Sequence, residues 1–315
     1  MASSANQNKF LGSLLGMEIG DALGMPVAGL SAADIRVGYG SITRYHARQL
    51  DAETEIKAGE FTDESEIALC MVESATADNG AFDPDLIGPR MLFLARGESK
   101  RWMHRDTLTA LIEADEHLSF QVPLSESDPA TPDLAVRGVP VGLMHAVGTK
   151  RTAELIKDAE RVVRITHGSP LAISAATAVA LGVSQAARGG MEPHAWANEA
   201  AHFLPQGEIA RALRTGEPID GEDVAAVVAT AFHDAAHASS FEEAVLTAVN
   251  RGGPSDARGA ITGALAGAHH GADGIPQRLI DGSEGRIYVS LAVPWFYRSA
   301  MRRAGLFIDI KRDAT

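Results

Sequence analysis

A stripe of glycines constrains this chain more than any other feature. Gly259, Gly263 and Gly267 recur every four residues in a segment that begins near Asp256. On a helix that spacing lines one face with bare backbone, as where two helices cross tightly. The rest of the chain suits such packing. Aromatic residues are only 5% of it, clusters of Val, Ile and Thr are scarce, and 31 glycines with abundant alanine allow close helix approach. The expectation is an all-α fold. The amphipathic pattern runs from Phe10 nearly to the end with no linker or repeat, which points to one domain over residues 1–315, a compact helical bundle.

Individual helices are marked by caps and period. Asn8–Gly16 opens a helix that passes through Gly20-Asp21-Ala22-Leu23-Gly24 and stops at Pro26. Phe61–Ser65 opens a second, Glu66–Ala77, with Ile67, Met71 and Ser74 on one face. Further helices are expected over Pro84–Arg96, Trp102–Leu118, Gly138–Gly148 and Arg151–Arg164. Ser125–Pro132 reads as a loop. Ser169 is a suitable N-cap, and Pro170 a suitable first residue, for an almost wholly apolar and therefore central helix over Leu171–Ala187. Ser240–Asn250 is another, closed by Arg251-Gly252-Gly253-Pro254. Gly282–Val293 gives the weakest pattern.

Charge and cysteine content narrow the function classes. The formal net charge is 28 − 41 = −13, and no Lys/Arg run offsets it, which disfavours nucleic acid as a partner. Such acidity is compatible with carboxylates gathered around a divalent cation. A single cysteine, Cys70, excludes an intramolecular disulfide and a cysteine-based zinc cluster. Met1–Lys9 is polar and lacks a signal core, and no apolar run is expected to span a bilayer, so a cytoplasmic protein without membrane contact is the expectation.

Three clusters could carry chemistry. Thr62-Asp63-Glu64 sits at a helix start, where Asp63 and Glu66 have capping-box spacing, yet the same residues offer hard oxygen ligands for Mg²⁺ or Mn²⁺. In Asn250–Asp256 the glycines and proline force a sharp loop. Ser255 or Asp256 would cap the next helix, or Asp256 would be a second carboxylate aimed at the same point as Asp63. His233 and His237 share a helix face in a pattern close to that of zinc proteases, but with Asp where the catalytic Glu should stand. His167, just before the apolar helix, reads as a structural hydrogen-bonder or as a group near the site.

Gly20–Pro26, Phe61–Glu64, Ile165–His167, Ala248–Gly253 with Gly267-Ala268, and His270–Pro276, in that order and spacing, resemble the ADP-ribosylglycohydrolase family (the dinitrogenase-reductase-activating glycohydrolase type) over roughly residues 9–300. The resemblance implies a compact all-α domain and a two-metal Mg²⁺ or Mn²⁺ site between helix starts. It also implies hydrolysis at the anomeric carbon of an ADP-ribosyl group. By position, Thr62, Asp63, Glu64 and Asp256 match the metal ligands, Asp63 and Glu64 are candidate catalytic groups, and Asp21, Arg137, His167, Gly252, Gly253 and Arg258 are candidate substrate contacts. The chain departs from the pattern at four places. Ala28 stands where the family has Glu, Glu64 where it has Asp, Pro254 and Ala257 where it has oxygen ligands, and of the ligand-contacting G-N-G-x-x-M-R segment only Arg137 is kept. Counting oxygens, one weak metal site is expected rather than two, or none.

The expected activity is hydrolysis of a glycosidic bond in a small-molecule or protein-linked ribosyl substrate. The alternatives are a hydrolase of a smaller nucleoside or ribosylated metabolite, a catalytically inactive ligand-binding member, and a zinc hydrolase built on His233 and His237. The sequence leaves the oligomeric state open.

Overall fold

The computed structural model describes residues 5–52, 54–117 and 119–306. Helices α1 (Gln7–Gly24), α2 (Ala32–Tyr39), α3 (Asp63–Ala77), α4 (Pro84–Arg96), α5 (Arg105–His117), α6 (Pro132–Val136), α7 (Gly138–Met144) and α8 (Thr152–Val163) form the first half. The second half comprises α9 (Pro170–Arg188), α10 (Trp196–Phe203), α11 (Glu208–Thr215), α12 (Val224–His237), α13 (Phe241–Val249), α14 (Ser255–His270), α15 (Gln277–Gly282) and α16 (Arg286–Arg303). Among the described residues the only strands are β1 (Arg48–Gln49) and β2 (Glu55–Ile56), an antiparallel hairpin pairing Arg48 with Ile56. The fold is all-α.

Its spine is an antiparallel pair, α1 against α14. The glycine stripe on α14 meets a matching stripe on α1. A Cβ on Gly12, Gly16, Gly20 or Gly24 would overlap the carbonyl of Gly267, Gly263, Gly259 or Ser255, respectively, and Cβ atoms on the α14 glycines would overlap α1 carbonyls in return. With backbone against backbone, Ser hydroxyls reach across. Ser13 Oγ donates to the Ala264 carbonyl (3.0 Å) and Ser255 Oγ to the Gly24 carbonyl (2.8 Å). This close approach fixes the spacing between Asp21, near the end of α1, and Asp256, at the start of α14.

Around the spine, α9 packs against α6, α7, α8 and α14. By length and hydropathy α9 could cross a bilayer, which corrects the expectation that no run could do so. Its apolar character has another cause, since most of the helix is buried against other helices. Ser169 caps α9 by accepting from the Ala172 amide, and Ser240 caps α13 by accepting from the Glu243 amide (3.2 Å). Several boundaries differ from expectation. Helix α3 begins at Asp63, α7 stops at Met144 because His145 leaves the helical conformation, and Trp102 belongs to the turn before α5. Leu118, the expected end of that helix, lies outside the described residues. The ill-defined stretch over Gly282–Val293 contains the end of α15 and the start of α16.

Candidate active site

The start of α3 is capped from another helix. Thr62 is the N-cap residue, but its side chain makes no capping bond, and the Glu66 carboxylate instead accepts from Trp102 Nε1 (3.1 Å), so the capping box does not form. The first-turn amides are served by Asp21 of α1. Its Oδ2 accepts from the Thr62 and Ser65 amides at 3.0 and 3.3 Å. Asp21 is fully buried, and burial, aided by repulsion from Asp256 and only partly offset by its hydrogen bonds, pushes its carboxyl up to about 7.

Thr62 Oγ1 lies 2.7 Å from Asp21 Oδ1 and 2.6 Å from Glu64 Oε2. A hydroxyl carries one hydrogen, so it can donate to only one of these oxygens. The other contact requires a proton on Asp21 or Glu64. Consistent with this, Glu64 is held well above the usual carboxylate range by burial and then by Asp256 and Asp63, and Asp63 by burial and then by Asp133. Asp63 Oδ2 accepts from the His104 amide (3.0 Å).

Across from them stands Asp256. Neither Ser255 nor Asp256 caps α14 as expected, because Pro254 occupies the N-cap position. Ser255 is turned to α1, and Asp256 Oδ1 accepts from the Ala257 amide (2.9 Å). The loop before it is set by Gly252 and Gly253, whose φ values of 76° and 63° suit glycine. Their backbone bonds the segment after α1, Gly29 N to Gly253 O and Gly253 N to Leu30 O, both at 2.8 Å. Thr62, Asp63, Glu64 and Asp256 thereby line one cavity of about 440 Å³, a size suited to a small ligand.

The expected substrate contacts divide. Gly253 is on the cavity wall, but Gly252 and Asp21 lie behind it. Arg137 is buried and bonds Thr166 Oγ1 (2.7 Å) and Thr107 Oγ1 (3.4 Å), so it supports Asp63 and Asp133 electrostatically from within the core. His167 bonds Thr166 Oγ1 (2.8 Å) and faces a second cavity, of about 600 Å³, beside Asp106 and Asp128. Burial, and then Arg137, lower its pKa to about 4, so it is neutral at physiological pH. Arg258 is buried and braces the glycine loop through the carbonyls of Gly252 (2.5 Å) and Gly221 (3.4 Å), away from the residues that line the cavity. His233 and His237 stack at 4.1 Å, and His237 Nδ1 donates to the His233 carbonyl. Among the described residues they gain no third metal ligand.

Sequence reasoning missed several groups on the cavity wall, namely Arg48, Arg101, Trp102, His104, Asp133 and Glu222. Asp133 had a signal, since Thr131-Pro132-Asp133 is a helix-start pattern inside the segment flagged for its altered family motif. The donor set fits a hard divalent cation in kind, because several carboxylates and a hydroxyl are crowded together and hold protons tightly where no cation offsets them. Among the described residues, however, no three His, Cys, Asp or Glu side chains converge into a closed metal cage. The wall positions Ala28, Pro254 and Ala257 offer no side-chain oxygen.

A helical bundle with carboxylates gathered between helix starts defines a class that the comparisons identify. The ADP-ribosylglycohydrolase family profile matches residues 2–306, and the chain belongs to that family. It is 29% identical over 290 residues to the ADP-ribosyl-(dinitrogen reductase) glycohydrolase of Rhodospirillum rubrum, covering 88% of this chain and 90% of that protein. An uncharacterised protein of Archaeoglobus fulgidus is 28% identical over 314 residues, covering 94% of this chain and 98% of the relative. A solved structure described as an ADP-ribosylglycohydrolase-related protein complex superposes with a TM-score of 0.78 at 27% identity, covering 94% of this chain and 99% of that one.

Proposed function

We propose that the cavity between α1, α3 and α14 binds the ribosyl end of an ADP-ribosylated substrate, either a small molecule or a modified protein, and hydrolyses its glycosidic bond at the anomeric carbon. The observation that carries this reading is the convergence of Asp63 and Glu64 with Asp256, nearly 200 positions away in the chain, on one cavity. The Rhodospirillum relative, named for removing ADP-ribose from dinitrogen reductase, supports the substrate class.

As the bond to the anomeric carbon breaks, positive charge develops on the ribose ring, and the surrounding carboxylates stabilise it. Asp63 or Glu64 takes the proton of the attacking water. Burial raises their affinity for protons above that of an ordinary carboxylate, the direction a general base needs. Asp21 acts through Thr62 and the α3 amides, fixing the base rather than touching substrate. Thr62, Asp63, Glu64 and Asp256 would hold a Mg²⁺ or Mn²⁺ ion. Such an ion supplies positive charge to grip the ribose hydroxyls and orient water. The missing oxygens at 28, 254 and 257 favour one ion over two.

A smaller nucleoside or ribosylated metabolite is the second reading, favoured by Asp133, which adds a further carboxylate to the cavity wall. The test incubates wild type and Asp63→Asn with ADP-ribosyl-arginine peptide and with a panel of ribosides, resolving the products by chromatography. Wild type is expected to release ADP-ribose, and Asp63→Asn to lose on the order of 10²–10⁴ in rate. Full activity in Asp63→Asn refutes the assigned role. Release from the ribosides alone selects the second reading, and ligand binding without turnover by wild type points to an inactive binding protein.

A further inference from the structure

A further cavity, of about 110 Å³, lies between the start of α8 and the end of α9. Lys9, in the first turn of α1, bonds the Ala186 carbonyl (3.4 Å), so this end of α9 stands beside the beginning of the spine. Asp21 and the active-site cavity are at the other end of α1. The chain carries a net charge of −13, yet the wall here holds Lys150, Arg151 and Arg188 and no carboxylate. Lys150 pairs with Glu199 (3.0 Å) and Arg151 with Glu154 (3.6 Å), both largely open to solvent, where such pairs are weak. Arg188 pairs with no carboxylate among the described residues. Its Nη1 and Nη2 donate to the Gly148 and His145 carbonyls (2.8 and 2.6 Å), and its buried Nε meets no acceptor among them. Asp158, behind His145, is already shared by His145, Arg161 and Arg303.

Helix α8 begins at the same wall. Arg151 is its N-cap residue and makes no side-chain cap bond, so the uncapped positive end of a twelve-residue helix stands at the cavity. The negative end of α9 does not cancel it, because the Gln185 and Ala186 carbonyls already accept from the Gly189 amide and Lys9.

Gln185 shows that this wall awaits a ligand. Leu181, Gln185 and Arg188 share the face of α9 that lines the cavity. Gln185 is only 5% exposed, yet neither its Nε2 nor its Oε1 has a hydrogen-bond partner among the described residues. Buried amides are nearly always bonded, because an unmet donor or acceptor loses its hydration for nothing in return. An occupant must therefore offer an acceptor to Nε2 and a donor to Oε1, and the requirement is the same if the amide is turned over. Arg188 Nε lacks an acceptor too. The cavity has room for about three or four waters, which fits one tetrahedral oxyanion and excludes a nucleoside. Carboxylate and sulfate bring negative charge and acceptors but no proton at neutral pH. Phosphate brings all three.

We propose that this cavity binds phosphate in a protonated form, as the free ion or as the phosphoryl end of a small monoester. Gln185 receives the P–O–H and donates to a second oxygen, Arg188 Nε donates to a third, and Lys150 and the α8 N-terminus supply the positive field. The site is separate from the hydrolytic cavity and does not depend on how that cavity is read.

The test is calorimetric titration of inorganic phosphate, sulfate and glycerol 3-phosphate into the full chain, with chelator present to keep metal ions out of the active-site cavity. Wild type is compared with Gln185→Leu, Gln185→Glu and Lys150→Ala, and thermal melts confirm that each is folded. Gln185→Leu removes both unmet atoms at nearly constant volume and is expected to fold. Wild type should bind phosphate about tenfold or more tightly than sulfate, which leaves the Gln185 acceptor unmet. Both Gln185 variants should lose about tenfold or more in phosphate affinity, and Lys150→Ala several-fold. Glycerol 3-phosphate binding that is lost in the same variants identifies a phosphoryl end-group as the ligand, and its exclusion identifies the free ion. Either result supports the site. The proposal is overturned if wild type binds no phosphate, since the cavity then holds water only, or if sulfate binds as tightly as phosphate. It is likewise overturned if Gln185→Leu binds phosphate as wild type does, which would place the ion elsewhere, beside Arg48 and Arg101 of the active-site cavity. Turnover is not read, so a wild type that hydrolyses none of the ribosides would sink the proposed activity and leave this inference standing.

Discussion

The α1–α14 seam makes a prediction whose sign runs against helix propensity. Alanine in place of a helical glycine normally stabilises a helix by about 1 kcal/mol. At Gly263 the new methyl group would overlap the Gly16 carbonyl, which is main chain and cannot rotate away. The two helices must separate along a face stitched by Ser13 and Ser255. Overpacking of this kind costs up to about 3 kcal/mol, so Gly263→Ala should lose about 2 kcal/mol net. For a domain of this size that lowers the midpoint of a thermal melt by about 3 °C. Gly38 is the control. It lies in α2, and a Cβ added there would have nothing within 4 Å, so Gly38→Ala should gain up to about 1 kcal/mol and melt slightly higher. Calorimetric melts of both variants against wild type decide the matter. A Gly263→Ala protein that melts at or above wild type would refute the claim that backbone contact, rather than side-chain packing, holds the spine.

Two further perturbations follow from the buried acids. Glu18 is fully buried, with Oε1 accepting from Ser283 Oγ and the Gly285 amide (2.6 Å) and Oε2 without a partner among the described residues. Burial raises its pKa from 4.5 to about 7, so its stabilising contribution is complete below pH 4.5 and is lost as pH rises to 7. Glu18→Gln should therefore be the more stable protein at pH 8, by at most about 3 kcal/mol, with the advantage vanishing near pH 4 in denaturant titrations. Equal differences at both pH values would contradict this. Thr62→Val keeps the shape but removes the hydroxyl between Asp21 and Glu64, and should cost about 2 kcal/mol in the same titrations. An unchanged midpoint would mean that the hydroxyl does not bridge the two carboxyls.

Much of the fold was legible because its signals are local. The Ser169-Pro170 start of α9 and the Pro84–Arg96 limits of α4 depend on residues a few positions apart, and both helices stand where the caps place them. The glycine stripe on α14 announced a close crossing, but its partner on α1 was visible only when the two were laid together. The site divides in the same way. Asp63, Glu64 and Asp256 were found from motif order. That Asp21 rather than Asp63 caps α3 could not be read from spacing, because Asp21 lies 41 positions before Thr62 and satisfies those amides through tertiary contact. The capping-box spacing of Asp63 and Glu66 was a local pattern overruled by Trp102 and Asp21. Arg48 carried no signal at all, since it belongs to a two-residue strand in a stretch without periodicity.

The backbone seam also decides which parts of this protein can move. Helices locked carbonyl to glycine from Gly12 to Gly24 cannot slide or tilt without breaking the contact everywhere, so Asp21 and Asp256 form a fixed frame. Opening of the cavity then falls to its rim, which includes the β1–β2 hairpin, held by the Arg48 bond to the Met25 carbonyl and by buried Ile56. Amide hydrogen exchange should divide accordingly, with α1 and α14 exchanging only on global unfolding and the hairpin on local opening. Ligand occupancy should slow exchange at the rim while leaving the spine unchanged.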